Sequence, residues 1–191
     1  MMYAARHHFG QTRKGTARPY FAHVLGVASI VLENGGDEDQ AMAALLHDVP
    51  EDCGGRPRLA EIRRQFGPRV ARIVDGCTDT YETPKPPWLA RKKAYIARVG
   101  REPAYMRLVS AADKFHNVRE VLFDHHEVGE QVWLRFQGGK EGTLWYYREI
   151  VKAFRRAGSN PLVERLAGLV AELQDAATQS SKPTVRRAAR R

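Results

Sequence analysis

Apolar residues recur at three- and four-residue spacings along most of the chain, and glycine, proline or polar clusters separate the runs. Val24, Val27, Ile30 and Val31 form one stripe after Pro19, which suits a helix start, and Asn34-Gly35-Gly36 closes it. Asp37 or Asp39 can cap the next helix, predicted over residues 38–49 with Met42, Leu45, Leu46 and Val49 inward. The same period predicts helices over residues 58–66, 69–77, 89–99, 104–124, 143–157 and 161–175. A short helix stopped by Gly10 opens the chain. With no internal repeat and no pair of alternating strands, the expected fold is all-α, a bundle of about eight or nine helices.

The segments between the stripes are polar or rich in glycine and proline. Residues 11–16 and 138–142 read as loops, and residues 81–88 hold Pro84, Pro86 and Pro87. Asp124-His125-His126-Glu127 matches no strong metal-ligand spacing and reads as an exposed helix end. The helix over 89–99 carries Arg91, Lys92, Lys93 and Arg98 beside a thin apolar face, which reads as a solvated surface rather than a membrane-binding one.

Composition narrows the class. A chain of 191 residues with 43% apolar and 28% charged residues is ordinary for one soluble domain. No run approaches the ~18 apolar residues of a membrane-spanning helix. The first residues lack the apolar core of a signal peptide. Cys53 and Cys77 have no metal-type pairing, so the expectation is a reduced, cytoplasmic protein with no membrane partner. Of the net charge of +9, Lys182, Arg186, Arg187, Arg190 and Arg191 supply +5, leaving +4 for the body. This divides the chain into a single domain over 1–175 and a basic, disordered tail over 176–191 that touches nucleic acid only weakly. The modest positive body fits a small anionic ligand. No pattern in the sequence specifies an oligomer.

Candidate chemistry centres on Leu45-Leu46-His47-Asp48-Val49-Pro50-Glu51-Asp52. Adjacent helical side chains diverge by about 100°, so His47 and Asp48 cannot stack but can converge on one ion between them. Pro50 disturbs the helix, which is expected to leave Glu51 and Asp52 just past its end, on a pocket rim. His23 lies beside the first apolar stripe and reads either as a satisfied core histidine or as a ligand. Asp113 follows Ala111 and Ala112 on the long helix, a costly place for a carboxylate unless it is paired or metal-bound. Asn117 shares its face. Arg13 and Lys14, beside Gly15, read either as a solvated pair or as phosphate and base contacts. Two imidazoles and two carboxylates suit a divalent transition ion.

In order, His23, His47-Asp48 and Asp113 form the pattern of the HD-domain phosphohydrolases, which this chain resembles, with the HD core over about residues 19–124. Arg13-Lys14-Gly15, Pro19-Tyr20 with His23, Leu45-Leu46-His47-Asp48-x-x-Glu51-Asp52 and Ala112-Asp113-Lys114-x-His116-Asn117-x-Arg119 look like the hydrolase domain of the RelA/SpoT alarmone enzymes. The similarity spans about residues 4–155, and the length is similar to a stand-alone small alarmone hydrolase of the group that includes the metazoan SpoT homolog. The resemblance implies that His23, His47, Asp48 and Asp113 ligate one divalent ion, Mn²⁺. It implies that Glu51 and Asp52 orient and deprotonate the attacking water. It also implies nucleotide contacts from Arg13, Lys14, Asn117, Lys140, Thr143 and Tyr147. The implied reaction is metal-dependent 3′-pyrophosphohydrolysis of guanosine tetra- or pentaphosphate. The alternatives are another nucleotide (an adenine alarmone, NADPH or a nucleoside phosphate) or a non-catalytic nucleotide- or nucleic-acid-binding module. Ser110 stands where the family usually has lysine, and Pro50 where it has valine or alanine; both departures bear on substrate recognition.

Overall fold

The computed structural model describes residues 1–180. The basic run Lys182–Arg191, with its expected disorder and nucleic-acid contacts, lies outside them. Among the described residues the chain forms helices α1 (Met2–His7), α2 (Tyr20–Glu33), α3 (Glu38–Leu46), α4 (Val49–Cys53), α5 (Gly55–Phe66) and α6 (Pro68–Cys77). These are followed by α7 (Trp88–Val99), α8 (Ala104–Val128), a 3-10 segment (Gly129–Arg135), α9 (Gly139–Ala157) and α10 (Pro161–Ser180). The all-α expectation holds. There is no strand among these residues; Thr12 and Pro19 form an isolated antiparallel bridge that closes the loop between α1 and α2. None of these helices is long and apolar enough to cross a membrane.

The helix α8 is the axis of the bundle, packed against α2, α3, α6, α9 and α10. Val27 and Val31 from α2, Val109 and Val118 from α8, Ile150 and Phe154 from α9 and Leu162 and Leu166 from α10 are fully enclosed. Each such side chain contributes roughly 1.5–3 kcal/mol on burial. Proline sets the helix starts: Pro19, Pro87 and Pro103 occupy N-cap positions, where the chain is still extended. Asp37, not Asp39, caps α3, in a capping box with Gln40.

Several boundaries differ from expectation, among them that of α5, which already starts at Gly55. The helix α3 ends at Leu46 rather than at Val49, and Pro50 opens the separate helix α4, where its missing N–H is no loss. Glu51 and Asp52 therefore ride on their own short helix. The helix α8 runs on to Val128, so Asp124 and His125 are buried rather than part of an exposed end. The 3-10 segment covers them, with the Trp133 ring 5.6 Å from His125. The helix α9 starts at Gly139 rather than at Thr143, and Gly138 and Gly142 at its start lie against the Trp88 indole, where a Cβ would stand 2.8 and 3.2 Å from it. The helix α10 continues to Ser180, burying Leu173 and Ala177, so residues 176–180 are helical rather than part of the disordered tail expected from 176 onward.

Candidate metal centre

Two helices and one corner bring His23, His47, Asp48 and Asp113 together. The helix α2 delivers His23, the joint between α3 and α4 delivers His47-Asp48, and α8 delivers Asp113. The His23 Nε2 atom lies 3.3 Å from Asp113 Oδ1 and 3.6 Å from Asp48 Oδ2. The His47 Nε2 atom lies 3.0 Å from Asp48 Oδ2 and 3.5 Å from Asp113 Oδ1. One ligand atom each from His23, His47 and Asp113 falls within 4.8 Å of the others.

The donor set fits a divalent cation on two counts. Both imidazoles are 1% exposed, yet neither Nε2 has a hydrogen-bond partner, because the carboxylate oxygens are close without being in line. The opposite nitrogens are engaged. The His47 Nδ1–H donates to the Ala44 carbonyl at 2.7 Å, and His23 Nδ1 meets His116 Nδ1 at 3.1 Å. That arrangement turns each Nε2 toward the carboxylates, the orientation a metal-ligating histidine needs.

The charges are unbalanced in the same sense. Burial opposes a charge on His47, but Asp48 and Asp113 outweigh it and hold its pKa well above the ordinary value. Burial likewise opposes ionisation of Asp113, yet the Lys114 ammonium, at 2.5 Å from Oδ2, and the two imidazoles keep it well below the carboxylate range. Asp48 is held low against burial by His47 and His23, and Tyr20 Oη donates to its Oδ2 at 2.5 Å. Two anionic carboxylates that favour positive charge on the facing His47 imidazole form a cation site.

The outer acids differ from one another. Glu51 is engaged at both oxygens: Oε2 accepts from the Asp79 backbone N–H at 2.9 Å and Oε1 from Lys85 Nζ at 2.7 Å. Asp52 pairs with Lys85 more loosely, at 3.9 Å. Burial, with Asp48 and Glu51 adding to it, pushes the Asp52 carboxyl up to about 6.

Above the centre opens a cavity of about 440 Å³. Arg13, Lys14 and Tyr20 form one wall, Lys85, Trp88, Arg91 and Lys92 another, and Thr143, Tyr146 and Tyr147 come from α9. The Arg13 guanidinium donates to Asn117 Oδ1 at 2.6 Å, and Asn117 Nδ2 donates to Asp113 Oδ1 at 2.6 Å. The structure thus brings Arg13, Lys14, Asn117, Thr143 and Tyr147 to the cavity. It does not bring Lys140 there. That ammonium donates to both Glu130 oxygens at 2.9 Å and to the Ala177 carbonyl at 2.7 Å, tying α9 to the 3-10 segment and α10.

The second cationic wall was not legible in the sequence. The face read as solvated on α7 turns Arg91 and Lys92 inward onto Asp79, at the exit of α6, with Lys92 Nζ at 3.0 Å. Thr78-Asp79-Thr80 directly after α6 was the one available signal.

The HD domain family matches residues 1–142 of the chain. The chain belongs to the HD-domain family. Guanosine-3′,5′-bis(diphosphate) 3′-pyrophosphohydrolase MESH1 of Xenopus tropicalis is 38% identical over 165 residues, 85% of each protein. Human MESH1 is 37% identical over 122 residues, which cover 62% of this chain and 65% of the human protein, just under two thirds of its length. A solved structure, of a metazoan ortholog of SpoT that hydrolyses ppGpp, superposes with a TM-score of 0.71 at 28% identity. It covers 90% of this chain and 91% of that one.

Proposed function

We propose that the protein is a divalent-metal-dependent 3′-pyrophosphohydrolase of guanosine tetra- and pentaphosphate, with Mn²⁺ as its ion. The observation that carries this reading is the pair of partnerless Nε2 atoms facing Asp48 and Asp113 on the floor of a cation-walled cleft. The activity named for the Xenopus and human relatives supports it. His23, His47, Asp48 and Asp113 would hold the ion, and two nitrogen and two carboxylate donors suit Mn²⁺. When bound, such an ion lowers the pKa of water and offsets phosphate charge.

The chain's own groups do the rest. Asp52, titrating at about 6, is ionised at neutral pH and takes the proton of the attacking water. Glu51 holds the Lys85 ammonium and the backbone of Asp79 in place beside it. Arg13, Lys14 and Asn117 bind the nucleotide from one side and Thr143 and Tyr147 from the other. Lys85, Arg91 and Lys92 face its phosphates. Water attack at the 3′ pyrophosphoryl ester leaves GDP or GTP and releases pyrophosphate. Residues 1–175 are read as one domain, and a reducing cytoplasm fits the free thiols Cys53 and Cys77.

The test is incubation of Mn²⁺-loaded protein with guanosine tetraphosphate and separation of the nucleotides by anion exchange. GDP and pyrophosphate in equal amounts are expected. Intact tetraphosphate at full metal occupancy overturns the reading, and the same assay with NADPH and adenine nucleotides identifies another substrate if one is used.

A further inference from the structure

Asp113, Asn117, Glu120 and Asp124 recur along α8 at spacings of four, three and four, which puts them on one face. Asp113 belongs to the metal centre, and Asn117 holds Arg13. The other two acids hold Arg18, which the proposed chemistry does not use. The Arg18 guanidinium donates to Glu120 Oε2 at 2.8 Å and to Asp124 Oδ1. The second Asp124 oxygen accepts from Arg135 Nη1 at 2.6 Å. Asp124, 8% exposed, is therefore gripped between two guanidiniums away from most solvent. Charge-assisted bonds of this kind are the strong ones, and removing one partner strands the others.

This cluster stands at the foot of the loop that carries Arg13 and Lys14. The Arg18 carbonyl accepts from the Arg13 backbone N–H at 2.9 Å, and Thr16 N–H donates back to the Arg13 carbonyl at 3.0 Å. Thr12 bridges Pro19. At the loop's turn, Gly15 has φ +68°, and the Arg135 side chain occupies the place a Cβ would take. Arg18 thus fastens the loop's base to α8, while Arg135 fastens its turn, and Asp124 is the anion common to both.

We propose that Asp124 is a positioning residue for substrate binding: with Arg18 and Arg135 it fixes the loop that presents Arg13 and Lys14 to the cleft. It sets nucleotide affinity without touching the reacting atoms. The affinity part of this inference rests on the nucleotide-hydrolase reading; the loop part does not.

The experiment uses the full chain with Asp124→Asn, which keeps the shape and weakens both guanidinium bonds. Amide hydrogen exchange at Arg13 and Thr16, measured without substrate, is expected to accelerate about tenfold, the loss of one such charged hydrogen bond. With Mn²⁺ and guanosine tetraphosphate, KM is expected to rise about tenfold while kcat stays within about twofold and metal content is unchanged. Asp124→Glu recovers part of both effects. Arg135→Gln, which spares the Arg18 pairs, accelerates exchange at Thr16 even if Asp124→Asn folds poorly. Unchanged exchange in these variants overturns the loop part, whatever nucleotide the parent hydrolyses. Unchanged KM, or a fall in kcat that follows metal content, overturns the affinity part.

Discussion

His23 and His116 meet nitrogen to nitrogen, Nδ1 to Nδ1, at 3.1 Å. One of the two must donate. Burial, His23 and the nearby Arg119 and Arg13 push the His116 pKa down to about 3, so His116 stays neutral. With His23 donating, its Nε2 lone pair is left facing the carboxylates. His116 in turn fits only because Gly26 on α2 has no side chain; a Cβ there would collide with the His116 ring. Gly26→Ala should therefore displace His116 and loosen His23 without altering any ligand. Metal affinity is expected to fall about 10- to 100-fold, the usual cost of losing a ligand's supporting partner. Calorimetric titration with Mn²⁺ checks it, and parental affinity in a folded variant sinks the idea.

Loss of a proposed ligand should be more severe. His47→Ala removes one of the two Nε2 donors and leaves Asp48 and Asp113 facing each other with less positive charge between them. Bound metal after dialysis should drop at least ~10-fold, and turnover should vanish with it. Elemental analysis beside the nucleotide assay decides; full occupancy with full activity would remove His47 from the centre.

Asp52 sets a pH dependence. A proton acceptor works ionised, so hydrolysis should fall as pH drops through the Asp52 pKa, about 6 in the cation-free protein. A cation in the centre favours the carboxylate and moves that midpoint lower. Carbon-13 NMR of the Asp52 carboxyl should show the downward move when Mg²⁺, a diamagnetic stand-in, is added. Asp52→Asn should abolish turnover across the range. A midpoint that rises on adding the ion contradicts this account.

Asn117 couples the two ends of the cleft, donating to Asp113 and accepting from Arg13, each at 2.6 Å. Asn117→Ala should raise KM about tenfold, equivalent to one hydrogen bond to a charged group. Arg13→Ala should do the same, and the double variant should cost less than the two together, since they share one bond. Strict additivity in the double-mutant cycle would show that the contact does not matter for binding.

The sequence made the inner residues of this site readable and hid the outer ones, for a physical reason. His47-Asp48 are adjacent, and His23 and Asp113 sit on regular apolar stripes, so periodicity put them on inward helix faces and the resemblance to the HD-domain pattern joined them into one ligand set. Arg91 and Lys92 looked like solvent-facing charges because a basic helix face carries the same spacing whether it meets water or a buried Asp79. Lys140 looked available to a ligand, yet Glu130 and the Ala177 carbonyl hold it. Asp124 looked like a frayed helix end; nothing local announces that Arg18 and Arg135 will converge on it. The break at Leu46 was legible only in part. Pro50 marked a disturbance, but not that a new helix would begin there and carry Glu51 and Asp52 on its own axis.

The seat of Trp88 on Gly138 and Gly142 has a consequence for which substitutions the molecule can accept. With the indole resting on bare backbone, one cleft wall and the first turn of α9 fit as a key fits a lock plate. A methyl group at Gly138 would collide with that ring, which lines the cleft. A cleft-lining side chain is thereby held in place by two positions outside the cleft, and a smaller ring at position 88 is the change that would make room for a side chain at either of them.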